Sequence, residues 1–181
     1  MRVVAGAAKG LHLDVPPGRD VRPTADRVRE ALFSSLGERV RGARILDLFG
    51  GSGALAIEAL SRGAASAVIV ELNRRTADVI DGNLARAGLA GGARRVRGDA
   101  LKAISRLASA GLAFDVAFLD PPYASDLAAR ALAALIAAGL LAAGGIAVVE
   151  HDKRRSIETP PGLSVLAVKT YGDTALTIYA R

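Results

Sequence analysis

From Arg44 onward the chain alternates short apolar runs with helical patterns, and that alternation leaves few folds open. Ile45-Leu46-Asp47-Leu48-Phe49 reads as a buried strand, Gly50-Gly51-Ser52-Gly53 as a turn, and Ala54–Ser61 as a helix. Ala67–Glu71 and Asn73–Ala87 repeat the pair, as do Arg94–Arg97 and Ala100–Ala110, then Phe114–Leu119 and Ser125–Ala138. A fifth strand is expected over Ile146–Glu150. Apolar runs without in-out alternation suit strands covered on both sides, and helices between them suit right-handed crossovers in a parallel sheet. The end of the chain breaks the rule: Ser164–Tyr171, a Gly172-Asp173 turn and Ala175–Tyr179 read as a hairpin. At 181 residues, one domain with a sizeable core is expected.

Ala131 to Val149 carries no charge over 19 residues, near the length of a membrane span. Gly139 and Gly144-Gly145 interrupt it, so a helix, a glycine stop and a buried strand are the better reading. The absence of cysteine excludes disulfides, thiolate metal sites and cysteine nucleophiles. His12 and His151 lie far apart, and no metal site is expected. The N-terminus has no charged-then-apolar leader pattern, which leads to an expectation of a cytoplasmic protein.

The N-terminal region has a different character. Arg2–Ala5 and Leu11–Val15 flank Gly6-Ala7-Ala8-Lys9-Gly10, a hairpin with a basic tip, and Pro16-Pro17-Gly18 ends the unit. A helix is expected from Thr24, a good N-cap after Pro23, with Asp26 in its first turn. Val28, Ala31, Leu32, Ser35 and Leu36 follow helical spacing and form the expected inward face, leaving Arg27 and Arg29 outside with Arg22 just before the cap. The net charge is +6, with 20 Arg against 4 Lys, and the first 44 residues hold nine basic and five acidic side chains. Arginine-rich basicity suits a polyanion, although codon bias gives the same composition.

In a sheet of this kind, ligands bind beyond the carboxyl ends of the strands. Asp47, Glu71, Asp99 and Asp120 fall at four such ends and are expected to converge on one cleft. The glycine turn lets backbone approach a ligand and opens a helix, but Gly51-x-Gly53-x-x-Ala56 also fits a dinucleotide fingerprint. Asp120-Pro121-Pro122-Tyr123 separates the two readings. Asp120 is an acceptor; Pro121 has no N–H, so its carbonyl is a second acceptor on a stiff turn. Tyr123 offers a face for stacking. Two acceptors beside an aromatic suit a flat ring bearing an amino group, which a nicotinamide-dependent oxidoreductase would not need.

These features resemble class I S-adenosylmethionine-dependent methyltransferases acting on exocyclic or amide nitrogens. More closely, the chain is similar to the bacterial small-subunit ribosomal RNA guanine-N2 methyltransferase family. The resemblance runs through Arg22-Pro23-Thr24-x-Asp26-Arg27-Val28-Arg29-Glu30-x-Leu32-Phe33, the Leu46–Leu55 and Glu58–Gly63 segments, Asp120–Tyr123 and Tyr171-Gly172-Asp173-Thr174. It departs at Gly50, where alanine is more usual, at Ala5 in place of a glycine, and at Leu11 in place of a basic residue.

The resemblance implies a Rossmann-like α/β fold with a mostly parallel seven-stranded sheet, helices on both faces and a small N-terminal hairpin extension. Residues 1–23 would contact RNA and residues 24–181 would form the catalytic core. It implies S-adenosylmethionine as cofactor, with Gly50, Gly51, Ser52 and Gly53 at its methionine end beside Asp47, Phe49 and Thr24. Glu71 would take the ribose hydroxyls and Asp99 the adenine amine, with Leu72 and Ala100 against the ring. Asp120 and the Pro121 carbonyl would orient the guanine N2 amine, and Tyr123 would stack on the extruded base. Lys9, Arg22, Arg27, Pro122 and Tyr123 would meet RNA. The implied partner is 16S ribosomal RNA in the small ribosomal subunit or a late assembly intermediate, met by a monomer. A DNA or other RNA amino-methyltransferase using the same turn is the alternative within the class; an NAD-dependent oxidoreductase and a non-catalytic RNA-binding protein are the alternatives outside it.

Overall fold

A computed structural model describes residues 1–16, 23–122 and 126–181, with Pro23, Thr24 and Ala25 described by backbone alone. Seven strands form one sheet: β1 (Arg44–Asp47), β2 (Ser66–Glu71), β3 (Ala93–Arg97), β4 (Phe114–Leu119), β5 (Leu141–Asp152), β6 (Ser164–Tyr171) and β7 (Thr174–Ala180). Their order is β3-β2-β1-β4-β5-β7-β6. β1 to β5 run parallel, while β7 pairs antiparallel with both β5 and β6. The expected α/β class and seven-stranded, mostly parallel sheet are therefore present.

The helices are α1 (Pro23–Leu36), α2 (Ala54–Ser61), α3 (Arg74–Arg86), α4 (Ala100–Ser109) and α5 (Leu127–Ala137). The expected start of the last helix at Ser125 lies outside the described residues. Side chains alternate along each central strand between two cores. Ile45, Ile69, Val116, Phe118, Ile146 and Val148 pack with Leu32, Phe33, Ile57 and Ile80 on one side. Leu46, Val68, Val70, Ala117, Leu119 and Val149 pack with Ile104, Leu107, Leu132 and Leu135 on the other. Continuous apolar runs are thus the mark of strands buried on both faces. No helix among the described residues is long and apolar enough to cross a membrane.

Three expectations change. β5 begins at Leu141 rather than Ile146, because the register with β4 shifts between Phe114 and Val116 and the strand carries Gly144 at φ +73° through the irregularity. The N-terminal hairpin closes on one bridge, Arg2 to His12, with Val3 N donating to Leu11 O at 2.9 Å. Its backbone also bonds to α2: Val4 N and Ala5 N donate to Glu58 at 2.7 and 3.0 Å, and Ala7 N donates to Ser61 O at 2.8 Å.

The inward face of α1 is the third change. Arg29, Leu32, Phe33 and Leu36 are buried, while Ser35 is exposed. Arg29 is not on the outer face with Arg27. It is 4% exposed, pairs with Asp26 at 2.9 Å and lies 3.6 Å from Glu58, which is wholly buried. It also donates to the Arg2 carbonyl. A buried carboxylate requires a cation, and that requirement overrides the apolar pattern of the helix.

Candidate functional site

Strand order reverses between β1 and β4, and the cleft opens beyond the carboxyl ends of those two strands. Its volume is about 730 Å³. β1 ends in Asp47, buried at 1% exposure, whose Oδ1 accepts from Phe49 N at 3.3 Å. The chain then turns sharply: Gly50 N donates to Val70 O at 2.8 Å and Gly53 N to Gly50 O at 2.7 Å. Gly51 and Gly53 hold φ of +56° and +79°, values that a side chain resists, before α2 begins at Ala54. Asn83 of α3 braces the turn from behind by donating to Ser52 O at 2.8 Å and to Asp14 O at 3.0 Å. One amide thus joins the glycine turn to the segment that follows the hairpin.

Asp120, Pro121 and Pro122 leave β4 across the cleft from this turn, with Pro121 buried and Pro122 exposed. Asp47, Phe49, Gly50, Gly51 and Ser52 line the same space. Met1, Val15, Pro16 and the α1 residues Val28, Arg29 and Leu32 wall it on one side. Tyr171, Gly172, Asp173 and Thr174, at the β6–β7 turn, also face it. Asp47, Asp120, Glu150 and Asp173 are acidic and Arg29 is basic, so among the described residues the lining favours a cationic ligand.

The four strand-end acids do not all enter this cleft. Glu71, Leu72, Asp99 and Ala100 sit beyond β2 and β3, outside its walls. Glu71 accepts from Gly51 N at 3.0 Å and from Asn73 N at 2.8 Å, which fixes the carboxylate beside the turn. An ionised carboxylate offers about four acceptor positions, so two backbone donors leave it able to take hydroxyl groups as well. Leu72 is 69% exposed, an apolar surface next to that acid. Asp99 caps α4 by accepting from Lys102 N at 3.0 Å, and Ala100 is buried behind it. A cleft with acceptors deep inside, continued by an acid and an exposed aliphatic face at the end of the next strand, fits an extended ligand with an amino-acid end and a nucleoside end.

Lys9 and Arg27 are exposed, on the hairpin tip and on α1. Arg22, Tyr123 and the Thr24 side chain lie outside the described residues. Sequence reasoning missed Glu150, Arg29 and Asn83. Glu150 had a signal: it is a fifth acid after a fifth apolar run, Ile146–Val149, two residues before β5 ends. The other two had none, because their partners are far away in sequence.

Comparison with known proteins agrees with this geometry. The family model described as Conserved hypothetical protein 95 matches residues 1–180. Ribosomal RNA small subunit methyltransferase D of Escherichia coli K12 is 37% identical over 182 residues, covering 100% of this chain and 90% of that protein. The solved structure of Escherichia coli yhhF is 36% identical, covers 100% of this chain and 97% of its own, and superposes with a TM-score of 0.89. A hypothetical protein of Thermus thermophilus is 39% identical, with 98% of each chain covered and a TM-score of 0.84. By a match that spans all but the last residue, the chain belongs to the Conserved hypothetical protein 95 family, that of the small-subunit ribosomal RNA methyltransferases.

Proposed function

We propose that the chain methylates the exocyclic N2 amine of one guanine in 16S ribosomal RNA, using S-adenosylmethionine. The observation that carries this reading is that Asp120 and Pro121 line the same cleft as the Gly50–Ser52 turn. The parallel register Asp47 to Phe118 brings both features to one end of the sheet.

In this reading the glycine turn and Asp47 hold the methionine end of the cofactor, with Phe49, Gly53 and Thr24 around it. Glu71 takes the ribose hydroxyls, while Asp99, Leu72 and Ala100 take the adenine. When bound, the cofactor supplies a methyl group already activated on a cationic sulfur. The protein's own task is therefore orientation and charge complementarity. Asp120 and the Pro121 carbonyl accept hydrogen bonding from the N2 amine, which aims the nitrogen lone pair into the cleft. Pro121 offers no N–H to compete for that amine. Transfer would break the S–CH3 bond, leave the neutral thioether S-adenosylhomocysteine and make the nitrogen acidic, so that one proton would pass to Asp120 or to water. Asp120 need not be a strong base before that point.

Tyr123 stacks on the extruded base, and Lys9, Arg22, Arg27 and Pro122 hold the surrounding RNA. The substrate is the small ribosomal subunit or a late assembly intermediate, modified in the cytoplasm by a monomer. The test is transfer of labelled methyl from S-adenosylmethionine to small subunits lacking the modification, compared with naked ribosomal RNA. Label on one guanine N2 supports the proposal; label only on DNA or protein defeats it.

A further inference from the structure

The register of β4 and β5 pairs Leu119 with Val149, so Asp120, just past the end of β4, stands beside Glu150, two residues before the end of the parallel β5. Strands in that relation are roughly 4.8 Å apart. Phe118 and Val148 line the cleft, and Asp120 and Glu150, two residues on, line it too. Period-two alternation thus puts two carboxylates on the same face at the mouth of one site. Glu150 also borders a second cavity of about 460 Å³, shared with Pro121 and Pro122, so it stands on the other side of the proline turn as well.

We infer that Glu150 is the residue that selects guanine, by accepting N1–H and the nearer N2 hydrogen together while Asp120 and the Pro121 carbonyl share the farther one. This rests on the guanine-N2 reading above and adds a recognition role to it. An ionised carboxylate only accepts, and it receives two parallel N–H bonds well. Guanine alone among the RNA bases presents a ring N–H beside an amine. Adenine and cytosine each place a ring lone pair next to their amine, which a carboxylate repels. Uracil has the ring N–H but no amine. Acceptors at Asp120 and Pro121 alone would take any exocyclic amine, whereas the added carboxylate of Glu150 makes the site specific.

The test replaces the methylated guanine in reconstituted small subunits with 2-aminopurine, which keeps the N2 amine but has a lone pair at N1. Wild-type protein should strongly prefer guanine. Glu150→Gln can donate to that lone pair and still accept from N2, so the ratio of kcat/KM for guanine over 2-aminopurine should fall on the order of 10²-fold. Glu150→Asp should react more slowly but retain the preference. The ratio cancels any change in cofactor affinity common to the two substrates, which separates base selection from general damage. An unchanged ratio in Glu150→Gln, or equal loss of preference in Glu150→Asp, overturns the inference while leaving guanine methylation standing. Wild-type protein that leaves guanine N2 unlabelled overturns the parent reading, and this inference with it.

Discussion

Gly51 N donates to Glu71 Oε2 at 3.0 Å, a bond that joins the turn after β1 to the end of β2. The acid proposed for the ribose therefore also fixes the loop proposed for the methionine end. Glu71→Ala should remove both effects, and Glu71→Gln should lose part of the acceptor capacity while one amide oxygen can still meet Gly51. We expect cofactor affinity to fall by about tenfold or more for alanine and by less for glutamine, each hydrogen bond to a charged group being worth roughly 1.5–3 kcal/mol. Titration calorimetry with S-adenosylmethionine checks this; equal affinity in all three proteins would detach Glu71 from the site.

Gly50 is a packing requirement of this particular chain. A Cβ there would lie 2.6 Å from Ile69 Cγ2 and 2.9 Å from Ile80 Cδ1. The isoleucine branch methyl is close to its own backbone and yields little. Alanine, the more usual residue in the resembling family, should therefore cost about 1–3 kcal/mol here. Denaturant melts of Gly50→Ala should show it, and a companion Ile80→Val change, which removes the Cδ1 contact, should recover part of the loss.

Glu58 holds the N-terminal segment in place. It is wholly buried, accepts from Val4 N and Ala5 N, and sits between Arg29 at 3.6 Å and Arg62 at 2.7 Å. Glu58→Ala would leave Arg29 buried beside an absent partner, a change costing about 3–5 kcal/mol. For a domain of this size that corresponds to a fall in Tm of about 10 °C. Amides 4 and 5 should also lose hydrogen-exchange protection before the sheet does; unaltered protection there would contradict the tether.

The central strands were legible because they are buried on both faces, and exposed β6 from the Gly172-Asp173 turn that follows it. β4 and β6 keep their expected limits, and α2 keeps both of its own. Asp47, Asp120 and the glycine turn could be placed because strand-end position is a local property of the sequence. Arg29 could not, because its orientation follows from Glu58, 29 residues away on another helix. Asn83 was hidden for the same reason: nothing near it announces Ser52 or Asp14 as partners. The start of β5 was missed because Gly144-Gly145 reads as a break, whereas the strand passes through with a shifted register.

Arg44 and Asp115 join the first residue of β1 to the start of β4 through paired side-chain bonds of 3.0 and 2.8 Å. Hydrogen bonding from Arg44 lowers the Asp115 pKa. A depressed carboxylate stabilises the fold above its unfolded value, near 3.9, and that contribution fades as pH falls through the lower folded value. Both side chains are more than a third exposed, so Asp115→Asn should cost below about 1 kcal/mol at pH 7. The gap between wild type and variant should close in melts taken below the ordinary carboxylate range. A gap of constant size down to the acid limit would mean that packing, not charge, holds the pair.

Lys9 and Arg27 lie exposed on the hairpin tip and on α1, where a phosphate backbone could reach them. Each phosphate contact releases counterions, so removing one should flatten the dependence of log affinity on log salt by about 0.7–0.9. Lys9→Ala and Arg27→Ala should therefore bind small-subunit RNA more weakly by the largest factor at low salt, with the deficit shrinking as salt rises. Neither contact reads a base, so the loss should be similar across RNA sequences. The double variant should flatten the slope by the sum of the two, provided the hairpin tip and α1 meet different phosphates. A slope identical to wild type in both single variants would return these side chains to ordinary solvated surface and move the RNA contact to another face of the molecule.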